Sequence, residues 1–230
     1  VKIRIINSLL DVLYPPICKV CNAALFDNEV DICLKCIKDM PLARLEYAND
    51  NDADRLFWGI VEFEKVLSFM NYSKGSPYTH LLLSLKYRGD KKMGLKLGRL
   101  MAKQLPKVFF ERIDYIIPVP LHSSKLKIRG YNQAEWLAKG IQMVYPIPIL
   151  GDALIKTQAT PSQTTRGVLE RRSSTPHLFT CNPLYELAGK HVLLLDDVLT
   201  TGATLIACRE ALLGVEHLRV SALTFAISKS

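Results

Sequence analysis

Two groups of residues in this chain have the types and spacing to do chemistry. The first is an acid pair, Asp196 and Asp197, which ends the apolar run HVLLLDD and is followed by VLTTGAT. The second is a set of four cysteines, Cys18, Cys21, Cys33 and Cys36, spaced C-x2-C-x11-C-x2-C. Adjacent carboxylates can hold a pair of vicinal hydroxyls. A loop of threonine and glycine entering a helix offers hydroxyls and unpaired backbone N–H groups to a phosphate, and glycine lets the backbone come close to it. A ribose 5-phosphate meets both demands at once. The cysteines suit another task. Two C-x2-C knuckles place four thiolates tetrahedrally around Zn²⁺, and such a closed set leaves no open coordination position, so the site is structural. A one-iron iron–sulfur centre would use the same four ligands and is the alternative. Cys181 and Cys208 have no partner by spacing and read as ordinary small residues.

These residues need elements to position them. Residues 191–197 read as a strand and 203–213 as a helix, so the acids stand where open α/β sheets bind ligands, at a strand's carboxyl end. Further strands are expected in VEFEKVLSFMNY, DYIIPVP, ALIKTQ, HLFTC and LRVSALTFAI. Helices are expected over SPYTHLLLSLKYRGD, over Gly94–Gln104 and over YNQAEWLAKGIQMVY. Strands alternating with helices predict a mainly parallel, doubly wound sheet. Residues 1–15 read as a short amphipathic helix with Ile5, Ile6, Leu9, Leu10 and Leu13 on one side. The organisation expected is a helix and cysteine module over 1–41, a linker over 42–58 with the polar run NDNDAD at its centre, and an α/β domain over 59–230.

Composition bounds the function. The 230 residues are 49% hydrophobic and 23% charged, ordinary for a folded chain and against disorder along its whole length. The net charge of +8 favours polyanionic ligands. No run of about 18 apolar residues suggests a membrane span. Asn7, Ser8 and Asp11 interrupt the first apolar segment, and no small-residue cleavage site follows. With clustered cysteines that suit a reducing compartment, the expectation is a cytoplasmic protein without membrane insertion.

The segment VLLLDDVLTTGAT resembles the phosphoribosyl-pyrophosphate (PRPP) motif of type I phosphoribosyltransferases. IIPVPLHSSKLKIRGYNQAEWLA, LKYRGD and TPSQTTRGVLER, taken with the cysteine module, resemble the competence protein ComF family over nearly the whole chain. The resemblance implies that Thr200, Thr201, Gly202, Ala203 and Thr204 hold the 5-phosphate. It implies that Asp196 and Asp197 contact the ribose hydroxyls, directly or through water and Mg²⁺, and are the residues on which catalysis would rest. RGYNQ then corresponds to the pyrophosphate loop, with Arg129 and the amides near Gly130 and Tyr131 as contacts. Lys156 to Ser174 corresponds to a mobile lid, with Gln163, Arg166 and Arg171 as its functional residues. The family pattern Arg-x-x-Asn keeps its arginine at Arg171 and departs from it at Ser174. Structural Zn²⁺, and Mg²⁺ with PRPP, are the implied cofactors.

Two functions stay open at this level. One is a PRPP-binding protein on a transferase scaffold, acting in DNA uptake with single-stranded DNA and DNA-uptake proteins as partners. The other is an active transferase, passing the phosphoribosyl group to a base or amine, with no nucleic-acid role. Lys86 at a helix end suits the helix dipole and needs no other explanation. With Tyr87 and Arg88 it also forms a basic–aromatic group compatible with base stacking.

Overall fold

The computed structural model describes residues 15–26, 28–43, 51–87, 90–157 and 178–228. The expected helix at 1–15 lies almost wholly outside them, as do the lid residues Gln163, Arg166 and Arg171.

The β-branched and aliphatic runs form one four-stranded sheet in the order β1 (Lys65–Tyr72), β6 (Arg219–Ser228), β5 (His191–Leu199), β2 (Tyr115–Pro118). Every pairing in it is parallel. A parallel sheet must be covered on both faces, and the alternation along β5 shows how. Leu193 and Leu195 join one core with helices α3 (Thr79–Tyr87), α4 (Lys91–Gln104) and α7 (Gln133–Gln142). Val192 and Leu194 join the other with α8 (Ala203–Glu210). Helices α4 and α7 lie so close that a methyl group on Gly98 would collide with the Leu137 carbonyl oxygen. Strands β3 (Leu154–Lys156) and β4 (Phe179–Cys181) pair antiparallel outside this sheet. The expected fold class, α/β with a parallel sheet and a small cysteine module, is what forms.

The cysteine module does not stand apart. Cys18, Val20, Ile32, Cys33, Cys36 and Met40 are buried in the same core as Phe69, Met70 and Leu81. Helix α1 (Leu34–Lys38) carries Cys36, and the Tyr78 hydroxyl donates to its carbonyl at 2.8 Å. Lys19 pairs with Asp31 at 2.8 Å and with Asp90 at 2.5 Å.

The stretch expected as linker differs from that expectation in its described parts. Pro41 and Ala43 bond to the β1 backbone at Asn71 and Phe69. Helix α2 (Asp52–Arg55) forms because the Asn51 side chain caps it, accepting from the N–H groups of Ala53 and Asp54. Asp54 then pairs with Lys65 at 2.6 Å and accepts from the Val66 N–H. The described part of the polar run, Asn51 to Asp54, is therefore a capped helix tied to the sheet. Besides α1 and α2, two more short helices were not expected, α5 (Lys107–Phe110) and α6 (Ser123–Arg129). Among the described residues, no helix is long and apolar enough to cross a membrane.

Candidate functional site

The acid pair stands where the sheet divides. Strand β5 runs on to Leu199, two residues past the expected end, held by β6 through Val198 and Leu199. On its other side the last ladder partner is Leu195, paired with Pro118. Val119 adds one hydrogen bond to the Leu195 carbonyl at 2.8 Å. The chain after β2 goes on to α7 on one face, and the chain after β5 enters α8 on the other. Asp196 and Asp197 thus border the crevice that opens where successive connections leave a parallel sheet on opposite sides, the place where such sheets bind ligands.

Local structure sets the charges. Burial, and then the neighbouring Asp197 charge, push the Asp196 carboxyl up to about 7, although the Asp197 N–H donates to its Oδ1 at 2.8 Å. Asp197 Oδ2 is buried and has no hydrogen-bond partner among the described residues. The Lys86 ammonium lies 3.4 Å from it. Sequence reasoning gave Lys86 a helix-end role and a place in a basic–aromatic group, and the pairing with Asp197 could not be read from spacing along the chain.

Downstream, Gly202 sits at φ +78° and starts α8 without any side-chain cap. The first N–H groups of a helix have no partner within it, so this end is a donor set for an anion. Thr200, Thr201, Ala203 and Thr204 are exposed around it, and Gly202 is buried. A Cβ on Gly202 would lie 2.9 Å from the Phe57 ring. Phe57, within the stretch taken for linker, therefore packs against the turn and fixes its shape. No local pattern marked it.

The RGYNQ segment borders the same crevice, with different contacts from those expected. The Gly130 N–H closes α6 by donating to the Leu126 carbonyl at 2.8 Å, so it is committed to the helix. The Arg129 guanidinium donates to Gln133 Oε1 at 2.8 Å. Asn132 caps α7 and donates to the Val119 carbonyl at 3.0 Å, which locks this loop to the end of β2. The Tyr131 hydroxyl donates to the Leu85 carbonyl at 2.5 Å, one residue before Lys86. On the α8 side, Lys156 on β3 lies over the Phe179 ring at 5.0 Å. Its ammonium pKa is lowered by burial and by Lys125, with Cys208 and Asp196 acting the other way.

The second candidate site is the cysteine set. All four sulfurs lie within 4.8 Å of one another. Tetrahedral Zn²⁺ with bonds of about 2.3 Å requires sulfurs roughly 3.8 Å apart, and Cys21 and Cys33 stand at 3.8 Å. Within the set, Cys18 is held toward the thiolate. Burial would raise the Cys18 thiol, yet backbone N–H groups of Cys21, Cys33 and Val20 outweigh it and bring it down to about 6. The residues fit a four-thiolate metal site. Among the described residues no other group of this kind gathers metal-ligating side chains. Cys181 is half-buried and Cys208, on the buried face of α8, lies in the second core; neither belongs to that set.

Comparison with known proteins agrees with the geometry. Residues 127–229, which contain the acid pair and its loop, match the phosphoribosyl transferase domain family. Over 110 residues, 46% of this chain and 48% of the other, the sequence is 35% identical to competence protein F of Haemophilus influenzae. Over this part of its length the chain is similar to ComF-type proteins. It is also 27% identical to competence protein ComFC of Bacillus subtilis, over 58% of its own length and 52% of that protein. It is 24% identical to DNA utilization protein YhgH of Escherichia coli O157:H7, over 66% of each. The matches thus span about half to two thirds of these relatives.

Proposed function

We propose that this chain is a ComF-type protein that binds PRPP at the crevice bordered by Asp196 and Asp197, and that it does so in the service of DNA uptake. One observation carries the reading: a half-buried acid pair near the end of a parallel strand, with the Asp197 Oδ2 atom buried, a few residues before an uncapped helix start whose glycine is held at positive φ. The two halves of the site match the two ends of one ligand. The exposed amides at the start of α8, with the hydroxyls of Thr200, Thr201 and Thr204, hold the 5-phosphate. Asp196 and Asp197 accept hydrogen bonds from the ribose hydroxyls. Asp197 Oδ2, buried without a hydrogen-bond partner, gains one in doing so. Arg129, held by Gln133, stands on the side where the diphosphate would lie, and Gln163, Arg166 and Arg171 are proposed to cover it.

Asp196 and Asp197 supply carboxylate oxygens of the kind Mg²⁺ takes together with substrate phosphates. Mg²⁺, when bound with PRPP, supplies neutralisation of the diphosphate charge. Should transfer occur, the chain's own contribution is to hold the anomeric carbon in place and to stabilise the leaving diphosphate. The four-cysteine set is proposed to hold structural Zn²⁺. The DNA role draws on the names of the relatives and on the charge of +8.

Calorimetry with PRPP, with and without Mg²⁺, tests the site. The wild type is expected to bind in the presence of Mg²⁺, and the Asp196→Asn, Asp197→Asn double variant to lose at least a hundredfold in affinity. Unchanged binding by the double variant would remove the acid pair from the site. For the DNA role, affinity for a single-stranded oligonucleotide should fall steeply between low and moderate salt. Affinity that is flat with salt, or absent at low salt, rejects it. Pyrophosphate release across a panel of bases and amines separates a transferase from a binding protein.

A further inference from the structure

We infer that Lys86 is the resting counter-ion of the acid pair, and that it bars a divalent cation from the site until the diphosphate arrives with it. The inference rests on the PRPP reading of the crevice and adds an order of events to it.

The geometry is specific. Lys86 Nζ lies 3.4 Å from Asp197 Oδ2, with side chains 26% and 15% exposed. That oxygen has no hydrogen-bond partner among the described residues. The contact is therefore an attraction of charges without a directed bond, and an ammonium so placed can leave without breaking a hydrogen bond at this oxygen. Lys86 is also brought to this point by fixed contacts at both ends of α3. At the start, the Tyr78 hydroxyl is bonded to the Cys36 carbonyl. At the end, the Leu85 carbonyl accepts from Tyr131. Just beyond, Asp90 caps α4 and pairs with Lys19 of the cysteine module. Helix α3 thus presents the lysine from a rigid base, while its flexible stem leaves the charge free to move a few ångströms.

Mg²⁺ takes oxygen ligands, carboxylates among them, at about 2.0–2.1 Å. An ammonium already beside Asp197 repels it and occupies part of the space it needs. A diphosphate changes the balance, because it offers Lys86 another anion at the mouth of the same crevice. The lysine can then exchange the carboxylate for phosphate oxygens, and Asp197 is freed as the cation enters. Lys86 acts here as a positioning residue.

The test gives changes of opposite sign. Mn²⁺ alone is titrated into the full zinc-loaded protein and free Mn²⁺ is followed by electron paramagnetic resonance. Mn²⁺ with PRPP is measured by calorimetry. For Lys86→Met we expect Mn²⁺ alone to bind at least tenfold more tightly than to wild type, and PRPP with Mn²⁺ at least tenfold more weakly. Lys86→Arg should restore both values toward wild type, and Asp197→Asn in the Lys86→Met background should abolish the gain for Mn²⁺. A lysine that merely supported the fold would weaken both measurements. Equal or lower affinity of Lys86→Met for Mn²⁺ alone overturns the inference, provided the variant keeps its zinc and its melting transition. If the wild type fails to bind PRPP with Mn²⁺, the PRPP reading itself falls, so the two failures are distinguishable.

Discussion

The cysteine module and the acid-pair crevice are both clusters of ionisable side chains, and they are built in opposite ways. In the module the groups face one another. Four sulfurs converge, backbone N–H groups of Val20 and Cys33 point at Cys18 Sγ at 3.4 and 3.3 Å, and Lys19 satisfies acids at its edge. In the crevice the groups face outward and are left incomplete. One carboxyl is pushed up to about 7, and among the described residues one buried oxygen lacks a hydrogen bond and a helix begins without a side-chain cap. A cluster that closes on itself stabilises the fold; a cluster left open costs stability and holds binding free energy in reserve. The two meet in α3, whose first turn rests on the module and whose last turn carries Lys86 to Asp197.

The harshest way to break the comparison is to open the module. Cys18→Ser, or removal of metal by a chelator, takes away a ligand and disturbs a core shared with Phe69 and Met70. We expect a loss of about 3–5 kcal/mol in denaturant unfolding, together with loss of bound zinc measured by mass spectrometry. PRPP affinity should fall as well, because α3 loses its footing at Cys36, but by less than in the double acid variant. Loss of zinc with unchanged stability would show that the module is a separate unit and that the shared core carries little.

Much of this architecture was legible in the sequence, for physical reasons that also mark the limits. Val192 to Leu195 is a continuous apolar run and LRVSALTFAI is mostly apolar, as suits central parallel strands, and the cysteine spacing is itself a geometry. The acid pair and its loop are contiguous, so their placement follows from one strand and one helix. Asn51 to Phe57 failed because its cues are polar. Asn51 caps locally, but Asp54 finds Lys65 and Val66, and Phe57 finds Gly202, only after the chain has folded. Helix α6 was missed because none of its residues is buried, so it carries no apolar stripe. Lys86 was read as a cation suited to a helix end, an explanation sufficient by itself, and only the tertiary fold brings Asp197 to it.

The mildest test sharpens the comparison most, because it predicts that damaging the open site strengthens the fold. The Asp196 carboxyl is raised by burial and by Asp197 to about 7, against about 3.9 in an unfolded chain. Between those values the folded state holds a proton that the unfolded state has lost. Stability is therefore greatest at and below the lower value, declines as pH rises through the window, and is flat above about 7. An asparagine at this position carries no such cost. Allowing for solvent screening of a half-buried group, Asp196→Asn should exceed the wild type by about 1–2 kcal/mol at pH 8. The difference should shrink toward zero as pH approaches 4. Denaturant unfolding at pH 8, 6 and 4.5 measures the trend. If the variant is instead weaker than the wild type at pH 8, Asp196 is a stabilising part of the turn, and the crevice is built on the same plan as the cysteine module.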